Sequence, residues 1–385
     1  MKIVLTGGGT GGSVAPLLAI YQEIKKVETA EFLFIGGKGP FERELAEEND
    51  IPFQPVTSGK LRRYFDPRNF LAPFNVIAGF FQALIILKKW KPDIVLSAGS
   101  FIAVPVVWAA WFLRKPIVVH QQDILKGLAN KLMTPFATKI TVTFSESLKD
   151  FPHKKSIVTG NPVRESLLSG NRETARQIFS LKDELPVVLI LGGGTGALAL
   201  NKVVAESLPN ILEFCQIIHI AGKGKNIFQD KNLKDAHRPN SVEEMLDDRK
   251  SVDYKKGKAE RYHAHEFLDT DELMHAFNVA DIVVTRAGLS TLSELAILKK
   301  PVIIVPLPGT HQEKNAKYFA SKNAALILNQ SILNTELFTN FVHELLQSKS
   351  QKIELSENIS NIMNKNATEV IVGEIKNIIQ NNESK

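Results

Sequence analysis

Two glycine-rich turns are the first features of this sequence with a defined chemistry. Residues 3–20 and 187–204 each run from an apolar stretch through clustered glycines into a helical pattern. The turn residues that fit G-x-G-x-x-G or G-x-G-x-x-A are Gly7, Gly9 and Gly12 in the first copy, and Gly192, Gly194 and Ala197 in the second. Such turns bring backbone N–H groups close to a phosphate at a helix N-terminus. Each turn is therefore a candidate phosphate site.

The strand that follows each turn disfavours a nicotinamide or flavin cofactor. A dinucleotide-binding site needs a carboxylate about 20 residues on, at the end of the second strand, to bind the ribose. Here "EFLFIGGKG" reaches Gly36 and Gly37, and "QIIHIAGKG" reaches Ala221 and Gly222, without an acidic residue. We therefore expect no dehydrogenase activity and no cofactor.

The elements that must position these turns alternate between strands and helices. Strands are expected at 2–6, 31–36, 93–97, 116–120, 139–143, 187–191, 216–221, 281–285 and 302–306. Strands separated by helix-length segments indicate parallel βαβ units. The fold class is thus α/β, with two Rossmann-like doubly wound domains. The link is placed at "TGNPVR", which gives domains at 1–162 and 163–350 and a C-terminal helical segment at 351–385.

Composition restricts the class of protein further. The chain has 385 residues, 44% of them hydrophobic and 23% charged, which suits two globular cores. Cys215 is the single cysteine and lies in an apolar run, so a core role is favoured over a nucleophilic one. No secretory signal is expected at the N-terminus. The net charge of +6 indicates a phosphate-bearing partner or an anionic surface.

Residues 70–87 are long and apolar enough for a membrane helix to be considered. The residues that argue against a span are Pro73, Asn75, Gly79 and Gln82. The large apolar residues that recur at helical spacing are Phe74, Ile77, Phe80, Phe81, Leu84 and Ile85. The flanking basic residues are Lys60, Arg62, Arg63, Arg68, Lys88, Lys89 and Lys91. Residues 60–91 therefore predict a helix lying on an anionic membrane surface, and the alternative is a buried helix with basic ends.

Two further clusters have the residue types of metal ligands. Asp269-Thr-Asp271 precedes a helical pattern, so helix capping explains it better than a metal does. His263 and His265 have no further ligands nearby in sequence. We expect no metal. The charged segment 223–262 is longer than an ordinary strand–helix connection and predicts an insertion with a short helix near 241–248.

Seven segments in one order over residues 6–316 resemble the MurG family of GT-B glycosyltransferases. They are "TGGGTGGSVAPLLAI", "KPDIVLSAGSFIAVP", "HQQDILKGLANK", "TGNPVRESLL", "LGGGTGALALN", "TRAGLSTLSELAILKKPVIIVPLP" and "HQEKNA". The resemblance implies two domains facing across a cleft. It also implies transfer of N-acetylglucosamine from its UDP donor to lipid-linked muramoyl-pentapeptide in peptidoglycan synthesis. A peripheral location on the cytoplasmic membrane face and no nucleic-acid partner follow from it.

The resemblance also implies which residues bind substrate. Glu294 matches a glutamate that holds the ribose hydroxyls, although Thr291-x-x-Glu294 is also a capping box. The resemblance implies that Arg164 lies near the diphosphate, and the alternative is a solvated surface arginine. It implies that Leu268 contacts the uracil through its backbone, and the alternative is a core residue. It also implies that Gln312 and Asn315 hydrogen-bond the sugar hydroxyls. The remaining implied contacts come from the turn and helix starts Thr10, Gly11, Gly12, Gly194, Leu289, Ser290, Thr291, Leu292 and Ser293.

Three departures from the family pattern affect the catalytic base. Ser13 stands where the family has histidine, Gln121 where it has glutamate, and Asp123 where it has asparagine. A serine hydroxyl needs another group to activate it. Our hypothesis is that Asp123 is the base and Ser13 hydrogen-bonds the diphosphate or the acceptor. The alternative is that Asp123 is a helix N-cap before "LKGLANK".

Two other functions stay open from the sequence. A related GT-B enzyme could use UDP-N-acetylglucosamine on another acceptor or epimerise it. A degenerate binder could hold the nucleotide sugar without catalysis, having lost its base with the histidine. Binding of the donor alone would not separate these functions.

Overall fold

Two parallel β-sheets with flanking helices make up the protein. The computed structural model describes residues 1–9, 11–59, 72–193, 197–225, 241–246 and 252–383. The chain divides into two compact units, the first formed by residues 1–164 together with 363–385 and the second by residues 165–362.

Unit 1 contains a seven-stranded sheet in the order β3-β2-β1-β4-β5-β6-β7. Its strands are β1 Lys2–Thr6, β2 Glu31–Gly36, β3 Phe53–Pro55, β4 Ile94–Ser97, β5 Ile117–Gln121, β6 Lys139–Val142 and β7 Ser156–Val158. Every pairing in this sheet is parallel. Its helices within residues 1–164 are α1 Ala15–Val27, α2 Pro40–Glu47, α3 Ala72–Trp90, α4 Ala103–Phe112 and α5 Leu128–Met133.

Unit 2 contains a six-stranded parallel sheet in the order β10-β9-β8-β11-β12-β13. Its strands are β8 Val187–Leu191, β9 Gln216–Ile220, β10 Tyr262–His265, β11 Ile282–Thr285, β12 Val302–Ile304 and β13 Leu326–Ile327. Its helices are α6 Arg172–Ile178, α7 Leu198–Ile211, α8 Val242–Met245, α9 Val252–Ala259, α10 Thr270–Val279, α11 Leu289–Ile297, α12 Gln312–Ser321, α13 Thr335–Gln347 and α14 Lys349–Ser360.

Both sheets reverse their strand order beside the strand that precedes a glycine turn. In unit 1 the order reverses between β1 and β4, and in unit 2 between β8 and β11. Ligands of open α/β sheets bind at the carboxyl ends of the strands at such a reversal. The central strands are almost completely buried, as parallel strands covered on both faces must be.

The C-terminal segment 351–385 is helical, as expected, and its two helices belong to different units. Helix α14 packs against α11 and α13 in unit 2, whereas the last helix, α15 Ala367–Glu383, packs against α1 in unit 1. Its side chains Ile371 and Ile375 are fully buried in the same apolar cluster as β1 and β2. Glu374 adds an ion pair with Lys139 at 2.8 Å. Burial of this apolar face explains why α15 belongs to unit 1.

The structure also bears on the expectations for Cys215 and for the inserted segment 223–262. Cys215 is fully buried in the core of unit 2, and burial raises the pKa of its thiol, so the core role is confirmed. The short helix α8 lies where one was expected within the insertion. The rest of that segment lies partly outside the described residues, in the ranges 226–240 and 247–251.

Candidate functional site

The sheet order of unit 1 brings the candidate catalytic residues to one edge. Strands β1, β4 and β5 are neighbours, and their carboxyl ends lead into residues 7–13, 98–102 and 122–127. Ser13 and Asp123 therefore belong to loops at the same edge of the sheet, with the β4 turn between them. Gln122 links two of these loops, because its Nε2 donates to the carbonyl of Ala98 at 3.2 Å.

Ser13 is hydrogen-bonded to Gly8 within the first glycine turn. Its Oγ accepts a hydrogen bond from the N–H of Gly8 at 3.0 Å and donates to the carbonyl of Gly8 at 2.8 Å. The residue lies in a short 3₁₀ turn, Gly11–Ser13, and is half-buried. Since its O–H proton is donated to Gly8, the hydroxyl stabilises the turn in this structure. Gly11 and Gly12 lie in the same 3₁₀ turn, whereas Thr10 is outside the described residues.

A carboxylate that the sequence did not single out lies against this turn. Glu42, on α2, is only 4% exposed, and its Oε1 accepts a hydrogen bond from the N–H of Gly9. A Cβ placed on Gly8 would lie 2.6 Å from Glu42 Cγ, so the close approach requires glycine there. In the sequence, "PFERE" reads as an ordinary charged first turn of a helix, and nothing in it indicates a buried side chain.

Gln121 holds the loop that carries Asp123. Its Nε2 donates to the carbonyls of Asp123 at 2.7 Å and Leu125 at 3.0 Å, and its Oε1 accepts from Asn130 Nδ2 at 2.7 Å. Gln121 is buried, whereas Asp123 is half-buried. Helix α5 begins after Gly127, which makes no side-chain cap. The N-cap alternative for Asp123 is therefore wrong, because the helix starts four residues too late for its carboxylate to act as the N-cap.

Replacing Gln121 by glutamate is expected to destabilise unit 1 by about 1–3 kcal/mol. A carboxylate cannot donate to the two loop carbonyls, and it would place negative charge against both oxygens. Chemical denaturation of Gln121→Glu measures the change, and Gln54→Glu makes the same substitution at an exposed position. Equal unfolding free energies for the two variants would show that the two bonds to the loop add no stability.

His120 precedes Gln121 on β5 and is a buried, neutral side chain. Its Nδ1 lies 2.9 Å from Thr141 Oγ1, and its Nε2 lies 2.9 Å from Asn161 Oδ1. Burial lowers the pKa of His120 to about 4, against a smaller raising effect of the Asn161 hydrogen bond. Both ring nitrogens are engaged, so His120 does not replace the family histidine that is absent at position 13.

In unit 2 the strands β8, β11 and β12 are neighbours, and α11 follows β11 at their carboxyl edge. The N-cap of α11 is Gly288, without a side-chain cap, so the capping-box alternative for Thr291 and Glu294 is wrong. Thr291 instead lies in the first turn of the helix, where backbone N–H groups lack acceptors within the helix. Glu294, one turn further on, is 5% exposed.

The other residues of the α11 segment differ in what they can offer a ligand. Leu292 is fully buried and Leu289 is 4% exposed, so both side chains belong to the core. Ser293 is fully buried, and its Oγ donates to the carbonyl of Leu289 at 2.6 Å. Ser290 is half-buried. The first-turn backbone N–H groups and the half-buried hydroxyls of Ser290 and Thr291 are therefore the polar groups that this helix start can offer a ligand.

Helix α12 supports the turn before α11. Asn315 is fully buried, and its Nδ2 donates to the carbonyl of Ala287 at 3.0 Å. Gln312 is half-buried, and its Oε1 accepts from the N–H of Leu307 at 3.0 Å. Gln312 retains an NH₂ group with two N–H donors. The structure thus places both amides beside the loops at the carboxyl edge of unit 2.

The Asp269 cluster is a helix cap, as expected. Asp269 Oδ1 accepts from the N–H of Glu272 at 2.9 Å, and Glu272 Oε2 accepts from the N–H of Asp269 at 3.1 Å, which completes a capping box on α10. Leu268, just before the cap, is 3% exposed, so only its backbone can meet a ligand. Burial, with a contribution from the neighbouring His265, lowers the pKa of His263 to about 4. Within the described ranges, no three potential metal-ligating residues cluster.

The structure gives less information on two other expected binding residues, Arg164 and Gly194. Arg164 is the last residue of unit 1 before the division and is half-buried. Gly194 lies outside the described residues, as do the basic residues Lys60, Arg62, Arg63 and Arg68.

Helix α3 presents its large apolar side chains outward. The exposed ones are Phe74 at 69%, Ile77 at 54%, Phe81 at 57% and Ile85 at 69%. Trp111 and Phe112, at the end of α4, are 54% and 62% exposed, and the Phe112 ring lies 6.1 Å from that of the half-buried Phe80. The buried-helix alternative is therefore wrong for α3. By length and composition alone, α3 is the one helix in the described part of the chain that could cross a membrane.

Small residues on the opposite face of α3 allow the helix to pack closely against the rest of unit 1. Gly79 and Ala83 are buried, and a Cβ on Gly79 would lie 3.2 Å from Pro105 Cγ. Gln82 Oε1 accepts from the N–H of Thr57 at 2.7 Å. The helix is thus fixed by its small and polar side, which leaves the exposed apolar residues on the other side. We call this set of Phe74, Ile77, Phe81, Ile85, Trp111 and Phe112 the α3–α4 apolar surface.

Two doubly wound parallel sheets, each with a glycine turn at the reversal of strand order, define a two-domain GT-B fold. Residues 3–142 match the N-terminal domain of glycosyltransferase family 28, and residues 187–371 match its C-terminal domain. The chain belongs to glycosyltransferase family 28, and within it to the family of UDP-N-acetylglucosamine–N-acetylmuramyl-(pentapeptide) pyrophosphoryl-undecaprenol N-acetylglucosamine transferases, or MurG.

Two relatives of that name show how far the similarity extends. The protein from Clostridium kluyveri is 36% identical over 383 residues, which covers 98% of this chain and 99% of the relative. The protein from Clostridium botulinum strain 657 is 38% identical over 375 residues, which covers 96% of this chain and 98% of the relative. The similarity therefore extends over both domains.

Solved structures agree with the fold. Acinetobacter baumannii MurG superimposes with a TM-score of 0.67 at 24% identity, covering 98% of this chain and 99% of that one. A UDP-GlcNAc 2-epimerase from Neisseria meningitidis, bound to UDP-GlcNAc, gives 0.69 at 14% identity, covering 98% and 100%. At these identities the likeness concerns the fold alone.

Proposed function

We propose that this protein transfers N-acetylglucosamine from UDP-N-acetylglucosamine to lipid-linked N-acetylmuramoyl-pentapeptide in peptidoglycan synthesis. The observation that carries the proposal is the identity of 36–38% to curated transferases of that name over 96–98% of the chain. An identity of this extent covers the carboxyl edges of both sheets, where the candidate residues lie.

Unit 2 is the proposed donor side. The first-turn N–H groups of α11 can bind the diphosphate, since a helix N-terminus favours an anion. Arg164, which directly precedes unit 2 in the chain, would add a guanidinium fork, and Gly194 a backbone contact. The two carboxylate oxygens of Glu294 suit the two ribose hydroxyls. Leu268 would meet the uracil through its backbone, and Gln312 would bind the sugar hydroxyls. Asn315, whose side chain is fully buried, would act on the sugar only by holding the turn before α11.

Unit 1 is the proposed acceptor side, with Asp123 as the general base. The acceptor hydroxyl attacks the anomeric carbon of the donor sugar, and its proton passes to the Asp123 carboxylate. The bond between that carbon and the diphosphate oxygen breaks, and UDP leaves with the electron pair. Gln121 would orient the loop of Asp123 through its two carbonyl contacts. Ser13 would shape the neighbouring turn.

The decisive experiment is transfer of labelled sugar from UDP-N-acetylglucosamine to lipid-linked muramoyl-pentapeptide in detergent micelles. A disaccharide product, absent when the acceptor is omitted, is expected. Formation of an epimerised UDP-sugar without acceptor would support the epimerase alternative. Donor binding with neither product would support the non-catalytic binder, and product on a different acceptor alone would redirect the acceptor assignment.

The α3–α4 apolar surface supports a membrane-bound location. Six large apolar side chains are more than half exposed on two neighbouring helices, and Lys88 and Lys89 at the end of α3 are exposed beside them. Apolar burial together with basic residues favours an anionic lipid surface. We therefore propose peripheral binding to the cytoplasmic membrane face, where a lipid-linked acceptor is available.

The double variant Phe81→Ser/Ile85→Ser is expected to bind anionic vesicles at least tenfold more weakly, because two large exposed apolar groups no longer enter the bilayer interface. Vesicle co-sedimentation measures the change. Phe80 is left intact because it packs against the core of unit 1. Ile332→Ser is the matched control, since Ile332 is 60% exposed in unit 2. Equal vesicle binding by the double variant and the control would exclude α3 from the contact.

A further inference from the structure

The carboxylate of Glu42 occupies the first glycine turn, and this determines which ligands the turn can accept. Glu42 is 4% exposed, and its Oε1 takes the N–H of Gly9. In the phosphate-binding turns of α/β proteins, backbone N–H groups of this kind are donated to the ligand. Here one of them is already donated to an anion of the chain itself.

The surroundings of Glu42 show that the carboxylate is built into the turn. Ideal Cβ atoms on four neighbouring glycines would lie within 4 Å of its side chain: Gly8, Gly36, Gly37 and Gly39. Glycines on two separate stretches, the first glycine turn and residues 36–39, thus leave room for one acidic side chain. Because Gly8 has a φ of +141°, a conformation that favours glycine, the turn is shaped for this approach.

The side chain of Ser13 makes a second contact with the same turn. Ser13 Oγ accepts from the N–H of Gly8 and donates to its carbonyl. The N–H groups of Gly8 and Gly9 are therefore both donated to side chains of the protein. A phosphate at this position would have to displace Glu42 and would also meet a like charge at close range, which is costly where water is scarce.

We propose that Glu42 is a specificity-determining residue that excludes phosphate groups from the first glycine turn. The turn then faces an uncharged, hydroxyl- or amide-bearing part of the acceptor, and the acceptor's diphosphate lies elsewhere. This last point rests on the proposed transferase function. The exclusion of phosphate itself does not, because it concerns binding of a simple anion.

Inorganic pyrophosphate tests the proposal on the full chain with UDP at saturation, so that the donor side is filled. Calorimetry on the UDP-saturated wild-type protein is expected to show no pyrophosphate binding in the millimolar range. Glu42→Ala frees the Gly9 N–H and removes the charge, and it should bind pyrophosphate roughly tenfold or more tighter than the detection limit set by the wild-type titration. Glu42→Gln removes only the charge and should give a smaller gain.

Glu44→Ala is the matched control, because Glu44 is an exposed carboxylate on the same helix. It should leave pyrophosphate binding as in the wild type. Unchanged UDP affinity and thermal unfolding confirm that each variant folds, and Glu42→Gln decides the question if Glu42→Ala does not. Folded Glu42 variants with the pyrophosphate affinity of Glu44→Ala would overturn the proposal. So would tight binding of pyrophosphate by the UDP-saturated wild type. Neither result depends on sugar transfer.

Discussion

Asp123→Asn is expected to reduce the rate of sugar transfer by roughly 10²–10⁴-fold, the contribution typical of a positioned general base. The amide keeps the size of the side chain but cannot accept the acceptor's proton. Ser13 cannot compensate, since its hydroxyl proton is donated to Gly8. Turnover at saturating donor and acceptor measures the loss, and calorimetry with UDP should show donor affinity unchanged.

Two further variants make this experiment specific. Asp150→Asn removes an exposed carboxylate from the same unit and should leave turnover unaltered. Ser13→His, introduced together with Asp123→Asn, restores both family residues and should recover part of the lost rate. Full activity of Asp123→Asn alone would show that Asp123 is not the base, and loss of donor affinity in parallel with turnover would indicate a binding role instead.

Glu294→Ala is expected to weaken UDP binding by about 1–3 kcal/mol, or roughly 5- to 150-fold, through loss of buried hydrogen bonds to the ribose. The helix itself should persist, because Gly288 and not Thr291 is its N-cap. Calorimetric titration with UDP gives the affinity, and circular dichroism checks the fold. Glu313→Ala, which alters an exposed carboxylate of α12, should bind UDP as the wild type does.

A nucleotide lacking one hydroxyl separates ribose binding from a structural effect. Wild-type protein should bind 2′-deoxy-UDP more weakly than UDP, and Glu294→Gln should lose much of that discrimination. Gln keeps the volume of the buried side chain, so the comparison does not rest on a cavity. Discrimination that stays intact in a folded Glu294→Gln variant would remove Glu294 from the ribose site.

The long buried strands could be predicted from the sequence because their apolar runs are continuous. The expected positions 2–6, 31–36 and 187–191 coincide with β1, β2 and β8. The four strands without a prediction, β3, β7, β10 and β13, are only two to four residues long. Two of them, β10 with "YHAH" and β3 with "FQP", contain no apolar run, so pairing with a neighbour and not the local pattern defines them.

The candidate site was predictable only where a motif is local. The motif "TRAGLSTLSE" predicts the position of α11. The N-cap of this helix is Gly288, which has no side chain, so the sequence favoured Thr291 as the N-cap candidate instead. Glu42 could not be predicted as buried, because its surroundings come from glycines on other loops. Gln121 differs from the glutamate of the family only in having an NH₂ group in place of one carboxylate oxygen. That this group holds the loop of Asp123 could be recognised only from the two carbonyls that it contacts in the structure.

The docking of α15 on unit 1 has a consequence for biosynthesis. Residues 1–164 leave the ribosome long before α15, because the 198 residues from 165 to 362 are made in between. At ordinary translation rates this leaves roughly 10–40 s in which the groove beside α1 lacks Ile371 and Ile375. A nascent first unit would expose that apolar groove to chaperones. An isolated fragment that stops at residue 164 would keep the exposed groove permanently and should aggregate, whereas adding α15 as a separate peptide should rescue it.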